Sequence, residues 1–429
     1  MVLSLGSGQF IWGLEAATHN WGYVAVCLLW RYLSNNQLAS CGLTSQHSAS
    51  ITMKILTSSG PLCVRGGVLI SGGGTAGHLL PGLAVAEELV NRGCKRNEIA
   101  FVGSARGVEV SMVPAAGFRL RALSGRGLNG RRISLPNLWN LLAILWGVLR
   151  GIFVVGRCRP GIVLSLGGYA ALPASVGAIL FRVPLVLAEQ NSAASGVNRL
   201  LTKYAKAAAV PHSGTGLRNE VVTGNPVRES VIEADRLGRS SRNELQWPSE
   251  DLVVVVFGGS LGSRRINEAI WQASNHSDLP LIHHVVGERD WHMLPVDLPN
   301  NIKAVPYDKE LPKAMAAADL IVCRPGGSTV AEISLLGVPA ILVPLPQAPN
   351  DHQRLNAQWL MNADLATIVE DKEFDGVRLV HEMTAMLKKF RVNGDPDIER
   401  RKRSIGPRDA TQRVADLVVN HCSTVLPAD

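Results

Sequence analysis

From about residue 64 onward, short apolar runs alternate with longer segments whose apolar positions recur every three or four residues. The runs have the length and β-branched content of strands buried on both faces, and the longer segments have the spacing of helices with one buried face. In the first half this pattern predicts strands over 67–71, 99–102, 161–165, 184–187 and 207–210, with helices over 81–92 and 108–116 among the intervening segments. A second cycle predicts strands over 252–257, 281–286, 302–305, 320–323, 340–343 and 366–369, and 410–420 closes the chain with helical spacing. Regular strand–helix alternation argues for an α/β fold with a doubly wound parallel sheet. Two cycles predict two such domains, over 64–223 and 224–420, joined near Gly224-Asn225-Pro226 and the polar stretch 236–249.

Two segments fall outside that rhythm. Residues 1–52 are rich in Ser, Asn and Trp without clear periodicity, and read as an N-terminal extension ahead of Met53. No basic region opens them, so they do not resemble a signal peptide. Residues 135–155 are almost continuously apolar, with Arg131 and Arg132 before them and Arg157 and Arg159 after. Pro136, Asn137, Asn140 and Arg150 argue against a membrane span. A helix lying in the membrane interface fits better, with Arg131, Arg132, Trp139 and Trp146 as its membrane-facing residues, and a buried crossover helix is the alternative.

Charge sharpens this picture. The net charge is +8, yet from Val110 to Ala188 there is no Asp or Glu, while nine arginines fall in that stretch. Such a basic face attracts phosphorylated substrates or anionic membranes. The stretch lacks interleaved aromatic and basic motifs, so no nucleic-acid partner is expected. The seven cysteines are scattered with no C-x-x-C pair, as in a reduced, cytosolic protein.

The candidate chemistry lies in glycine turns that follow strands. One reads Gly72-Gly73-Gly74-Thr75-Ala76-Gly77-His78, a second Gly258-Gly259-Ser260-Leu261-Gly262-Ser263, and a third Arg324-Pro325-Gly326-Gly327-Ser328-Thr329-Val330-Ala331-Glu332. Strand, glycine turn and helix together present main-chain N–H groups and a helix N-terminus to a phosphate. The first turn also fits G-x-G-x-x-G, but the next strand ends in Gly103-Ser104 with no acid for a dinucleotide ribose, and no G-K-[ST] follows either of the first two loops. In the third turn Ser328 and Thr329 can donate hydrogen bonds and Glu332 can accept from vicinal ribose hydroxyls; a capping-box-like helix start with Ser328 as N-cap is the plainer reading. His78 is either a cap or packing residue, or a general base. Glu189-Gln190-Asn191 follow another strand, and Asp351-His352-Gln353-Arg354-Leu355-Asn356 follow a Pro-rich turn. Their amides suit sugar hydroxyls, which need both donors and acceptors.

The ordered set G-G-G-T-A-G-H, L-G-G-Y, E-Q-N, G-N-P-V-R, G-G-S-x-G, R-P-G-G-S-T-V-x-E and D-H-Q-x-x-N-A resembles the MurG family of bacterial GlcNAc transferases from about residue 66 to about 420. The resemblance implies a GT-B fold: two Rossmann-like doubly wound domains facing a cleft, with an acceptor- and membrane-facing N-terminal domain and a UDP-GlcNAc-binding C-terminal one. It implies an inverting hexosyltransferase of peptidoglycan synthesis, needing no cofactor or catalytic metal. GlcNAc would pass from UDP-GlcNAc to the 4-hydroxyl of MurNAc in undecaprenyl-pyrophosphoryl-MurNAc-pentapeptide. The enzyme would be peripheral, on the cytoplasmic face of the cell membrane.

By that resemblance Ser260 and its loop meet the diphosphate, and Glu332 holds the ribose with Gly326, Gly327, Ser328 and Thr329 nearby. Gln353 contacts GlcNAc, and Thr75, Ala76, Gly77, Asn191 and Arg228 complete the donor site. His78 and Glu189 are the candidates for the catalytic base. Ala76 stands where the family usually has glycine, so its position must tolerate negative φ or the loop is shifted. Another GT-B enzyme (a diacylglycerol glycosyltransferase or a UDP-GlcNAc 2-epimerase) and a non-catalytic sugar-nucleotide-binding protein are the competing readings. The E-Q-N and L-G-G-Y motifs oppose the epimerase, and the intact glycine turns oppose a non-catalytic protein.

Overall fold

The computed structural model describes residues 65–123, 135–259, 262–276, 278–390 and 396–424. The N-terminal extension, Arg131, Arg132, Ser260 and the side chain of Trp139 therefore lie outside the described residues. The first sheet comprises β1 (Val68–Ser71), β2 (Ile99–Ser104), β3 (Arg119–Leu123), β4 (Ile162–Ser165), β5 (Leu185–Ala188), β6 (Ala207–Val210) and β7 (Glu220–Val222) in the order β3-β2-β1-β4-β5-β6-β7. The second comprises β8 (Val253–Phe257), β9 (Leu281–Val285), β10 (Ile302–Val305), β11 (Leu320–Cys323), β12 (Ala340–Leu342) and β13 (Ala366–Ile368) in the order β10-β9-β8-β11-β12-β13. Every pairing is parallel. Both sheets reverse direction of growth beside their first strand, at β1/β4 and at β8/β11. The crevice at such a reversal is where an open parallel sheet receives its ligand.

The apolar runs form the central strands, because helices cover both faces and water reaches neither. Residues of β1, β2 and β4 are buried throughout, as are those of β8 and β11. Two strands escape the sequence pattern. In β3 only Leu123 is fully buried, and Arg119 and Arg121 point to water. In β7 three residues suffice, of which Val221 and Val222 are exposed. Both are edge strands, where burial imposes little pattern.

The closing helix Ala410–His421 belongs by sequence to the 224–420 segment, but it packs on the first sheet. Val414, Ala415 and Val418 enter the core formed by Val68, Ile70, Leu79 and Val85. Asp416 reaches Arg92 at 2.5 Å. The chain therefore crosses between the lobes twice.

The long apolar segment forms a helix, Leu135–Cys158. Gly151 lies against Pro173, and Val155 against Gly177, of the neighbouring helix Leu172–Leu180. Val154, Val155 and Cys158 join the core beneath β4 and β5. Its outer face leaves Leu145, Trp146, Leu149 and Phe153 exposed. It is a crossover helix on one side and an unpartnered apolar stripe on the other. Among the described residues no helix is long and apolar enough to cross a membrane.

Candidate active site

The first glycine turn does not form the open phosphate cradle its sequence suggests. Glu109, in the first turn of the helix Glu109–Ala115, is fully buried, and its carboxylate accepts the N–H groups of Gly74 (2.9 Å) and Ser104 (2.5 Å). A Cβ on Gly73, whose φ is +137°, would lie 2.6 Å from that carboxyl group. The loop on the β2 side of the crevice is thus shaped around a resident anion. Sequence offered one signal: Glu109 is the last acid before a long stretch without any.

On the β4 side the crevice holds His78. The helix begins earlier than the periodicity suggested, at Ala76, with Thr75 as N-cap, so Ala76 is an ordinary helical residue and needs no positive φ. Pro81 is consequently inside the helix rather than in its first turn. Proline has no N–H to offer the carbonyl four residues back, which is that of Gly77. The Ser328 hydroxyl donates to that carbonyl instead, at 2.8 Å, from the opposite lobe.

His78 Nδ1 lies 2.7 Å from Gln190 Oε1. Gln190 stands in the loop after β5, which is wound around Glu189. That carboxylate is buried and accepts from Gln190 N, Asn191 N, Asn191 Nδ2, Ser195 N and Asn198 Nδ2 at 2.8–3.1 Å. With both oxygens engaged inward, Glu189 is placed as the loop's organiser rather than as a base. Asn191 is held at both ends, because Asn356 Nδ2 donates to its Oδ1 at 3.1 Å. Asn356 also accepts from Ser192 N (2.7 Å) and donates to the carbonyl of Pro325 (3.2 Å), tying the lobes together. Gly327 has no room for a Cβ against the Gln190 carbonyl.

The third glycine turn opens the helix Gly327–Leu336, whose N-cap is Gly326 and not Ser328. Ser328 and Glu332 stand one turn apart on one face of that helix. Glu332 is nearly fully buried, and Arg228, at the N-cap of the helix Glu229–Leu237, reaches its Oε1 through Nη2 (2.8 Å) and Nε (3.0 Å). Burial pushes the Glu332 carboxyl above the usual carboxylate range, and Arg228 pulls against it. Thr329 is half-buried beside them. Gln353 accepts Leu345 N at 2.9 Å, which fixes the loop after β12.

Arg324, not singled out by the sequence, is a strut of this site. It donates to Ser263 Oγ (3.1 Å) and to the carbonyls of Val343 (2.9 Å) and Pro344 (3.1 Å), and pairs with Asp371 at 2.5 Å. It so joins the second glycine turn to the ends of β11 and β12. A cavity of about 360 Å³ opens between Ser192, His212 and Thr215 on one lobe and Gln358, Trp359 and Asn362 on the other. Its walls carry no acid, lysine or arginine. Among the described residues no three His, Cys, Asp or Glu side chains converge as a metal site.

Two Rossmann-like lobes whose crevices face one another across His78, Ser328 and Glu332 define a GT-B glycosyltransferase. Residues 68–210 match the glycosyltransferase family 28 N-terminal domain, and residues 253–405 match its C-terminal domain. Curated relatives include the UDP-N-acetylglucosamine–N-acetylmuramyl-(pentapeptide) pyrophosphoryl-undecaprenol N-acetylglucosamine transferase of Syntrophus aciditrophicus, 34% identical over 74% of this chain and 88% of that protein. The protein of the same name from Acetivibrio thermocellus is 32% identical over 82% of this chain and 97% of its own length. Among solved structures, Acinetobacter baumannii MurG aligns with a TM-score of 0.62 at 28% identity, over 82% of this chain and 99% of its own. The kitacinnamycin glycosyltransferase shares the fold at 17% identity, with a TM-score of 0.57 over 83% of this chain and 99% of its own. The chain belongs to the MurG family.

Proposed function

We propose that the protein transfers GlcNAc from UDP-GlcNAc to the 4-hydroxyl of MurNAc in undecaprenyl-pyrophosphoryl-MurNAc-pentapeptide, with inversion, forming the lipid-linked disaccharide precursor of peptidoglycan. The observation that carries the reading is the strip from His78 through Gly77 and Ser328 to the Glu332–Arg228 pair, which spans both lobes. A single displacement needs a base on one side of the anomeric carbon and a stabilised leaving group on the other. His78, near the start of the helix Ala76–Asn91, is a titratable group of the acceptor lobe placed to serve as that base. UDP departure builds negative charge, which Arg228 and the N–H groups of the second and third glycine turns can meet. Glu332 then holds the ribose, and Gln353 and Thr329 line the sugar and phosphates.

The apolar stripe Leu145, Trp146, Leu149 and Phe153 supports a peripheral position on the cytoplasmic face of the cell membrane, where a lipid-linked acceptor is presented. The test supplies labelled UDP-GlcNAc with the undecaprenyl-linked acceptor, with diacylglycerol, and alone. Label moving into the undecaprenyl-linked fraction is expected. Transfer to diacylglycerol, or conversion of the nucleotide sugar without an acceptor, would replace the proposal with another GT-B activity.

A further inference from the structure

The buried residue facing His78 determines which of its nitrogens is available. Gln190 is 3% exposed, and its amide is bonded at both ends. Its Nε2 lies 2.9 Å from the carbonyl of Ala188, which can only accept. The amide must therefore turn its nitrogen to Ala188 and its oxygen to His78, because the opposite orientation would set two oxygens against each other. An oxygen 2.7 Å from Nδ1 requires the proton to be on Nδ1. The neutral imidazole then carries its lone pair on Nε2.

Among the described residues that second nitrogen has no hydrogen-bond partner. It faces Gly168, in the L-G-G-Y turn after β4, where an added Cβ would stand 3.9 Å from Nε2 and 3.7 Å from Cδ2. Gln190 itself cannot drift, because Asn225 Nδ2 donates to its carbonyl at 3.1 Å and Gly327 packs on the same carbonyl from the second lobe. Both restraints come from beyond the first sheet. The position of the imidazole is thus set by the joint and by the donor-side helix.

We infer that Gln190 is the positioning residue that holds His78 in the Nδ1–H tautomer, leaving Nε2 as the proton acceptor of the transfer reaction. The inference rests on the proposed function for the identity of the proton donor, the MurNAc hydroxyl. A neutral amide suits the task. It orients the ring as a carboxylate would, without the negative charge that would raise the ring's proton affinity and leave it already protonated at neutral pH.

The test uses the full chain with Gln190→Leu, which removes the acceptor at similar volume, and Gln190→Glu, which restores an acceptor oxygen. Nitrogen-15 chemical shifts of the His78 ring are expected to show Nδ1–H in the wild type and a mixed population in Gln190→Leu. Gln190→Leu should lose about a hundredfold in kcat with little change in donor KM, as misplaced catalytic groups do. Gln190→Glu should restore the Nδ1–H population but recover kcat only above neutral pH, with the acid limb of the pH–rate profile moved to higher pH. A wild-type ring protonated on Nε2, or a Gln190→Leu enzyme with unaltered kcat and pH profile, overturns the inference. A wild type that transfers nothing to the undecaprenyl-linked acceptor would sink the functional reading instead, and the ring shifts would still decide the tautomer.

Discussion

Replacing Trp146 and Phe153 together by alanine should detach the protein from membranes. These side chains are 58% and 70% exposed, and with Leu145 (55%) and Leu149 (50%) they form one stripe of the helix Leu135–Cys158. Removing a large apolar side chain wholly from water is worth about 1.5–3 kcal/mol, so the fraction still exposed leaves about 1–2 kcal/mol each to be gained at a lipid surface. Losing two of them should cost about 2–4 kcal/mol, or roughly a 30- to 700-fold fall in vesicle partitioning. The buried face of the helix is untouched, so unfolding should shift by no more than about 0.5 kcal/mol. Arg150, whose guanidinium stands 6.0 Å from the Trp146 ring, remains to meet anionic headgroups. The assay is co-sedimentation with phosphatidylglycerol-containing vesicles across a salt series. Part of the wild-type binding should survive high salt, because the apolar contribution is not screened. Partitioning of the variant within twofold of the wild type would refute the reasoning.

Glu332→Ala should raise the donor KM by roughly 10- to 100-fold, the value of a lost charge-assisted hydrogen bond, and cost about 1–3 kcal/mol of stability because Arg228 loses its partner; an unchanged KM in initial-rate measurements removes Glu332 from the ribose site. Because burial holds the Glu332 carboxyl above the usual range, donor affinity should also begin to fall at a higher pH than a surface glutamate would give. Glu109→Gln keeps the shape but can satisfy only one of the two N–H groups that the carboxylate accepts. It should destabilise the first lobe by about 2–4 kcal/mol in urea unfolding, and a loss below half a kilocalorie would mean the anion is not what shapes the loop. His284 is buried, and desolvation, with His283 adding to it, lowers its pKa to about 3. The unfolded chain therefore binds the proton that the folded chain refuses between about pH 6.5 and 3, and stability should fall with acidification by up to about 1.4 kcal/mol per pH unit in that window. His284→Gln should flatten that slope by one proton, and an identical acid limb would contradict the assignment.

The sequence announced whatever burial on two faces imposes. The runs at β1, β4, β8 and β11 were unmistakable because burial on both faces keeps them almost wholly apolar, with serines only at the ends of β1 and β4, and the glycine turns followed from the strands they end. What it concealed were relations across long separations. Gln190 lies 112 positions from His78, and Ser328 lies 251 positions from Gly77. No periodicity encodes such contacts. The edge strands β3 and β7 were hidden for the opposite reason, since half-exposed residues carry little pattern. Glu189 was misleading: an acid at the carboxyl end of a strand resembles a base until its oxygens are seen to face five inward donors.

The two sheets share one strand order, so their glycine turns occupy equivalent places at the point where the order reverses. Topology alone would let either lobe take the diphosphate. Charge breaks the tie. In the first lobe the β2 side of the crevice already contains the Glu109 carboxylate, bonded to the N–H groups a phosphate would need. A phosphate there would have to displace the Glu109 side chain from those N–H groups. In the second lobe the corresponding crevice lies between the ends of β8 and β11, with Arg324 braced behind it and Arg228 beside it. The two lobes thereby differ in what they present: in the first the N–H groups of Gly74 and Ser104 are taken by Glu109, while in the second Arg228 and Arg324 stand at the crevice paired with Glu332 and Asp371.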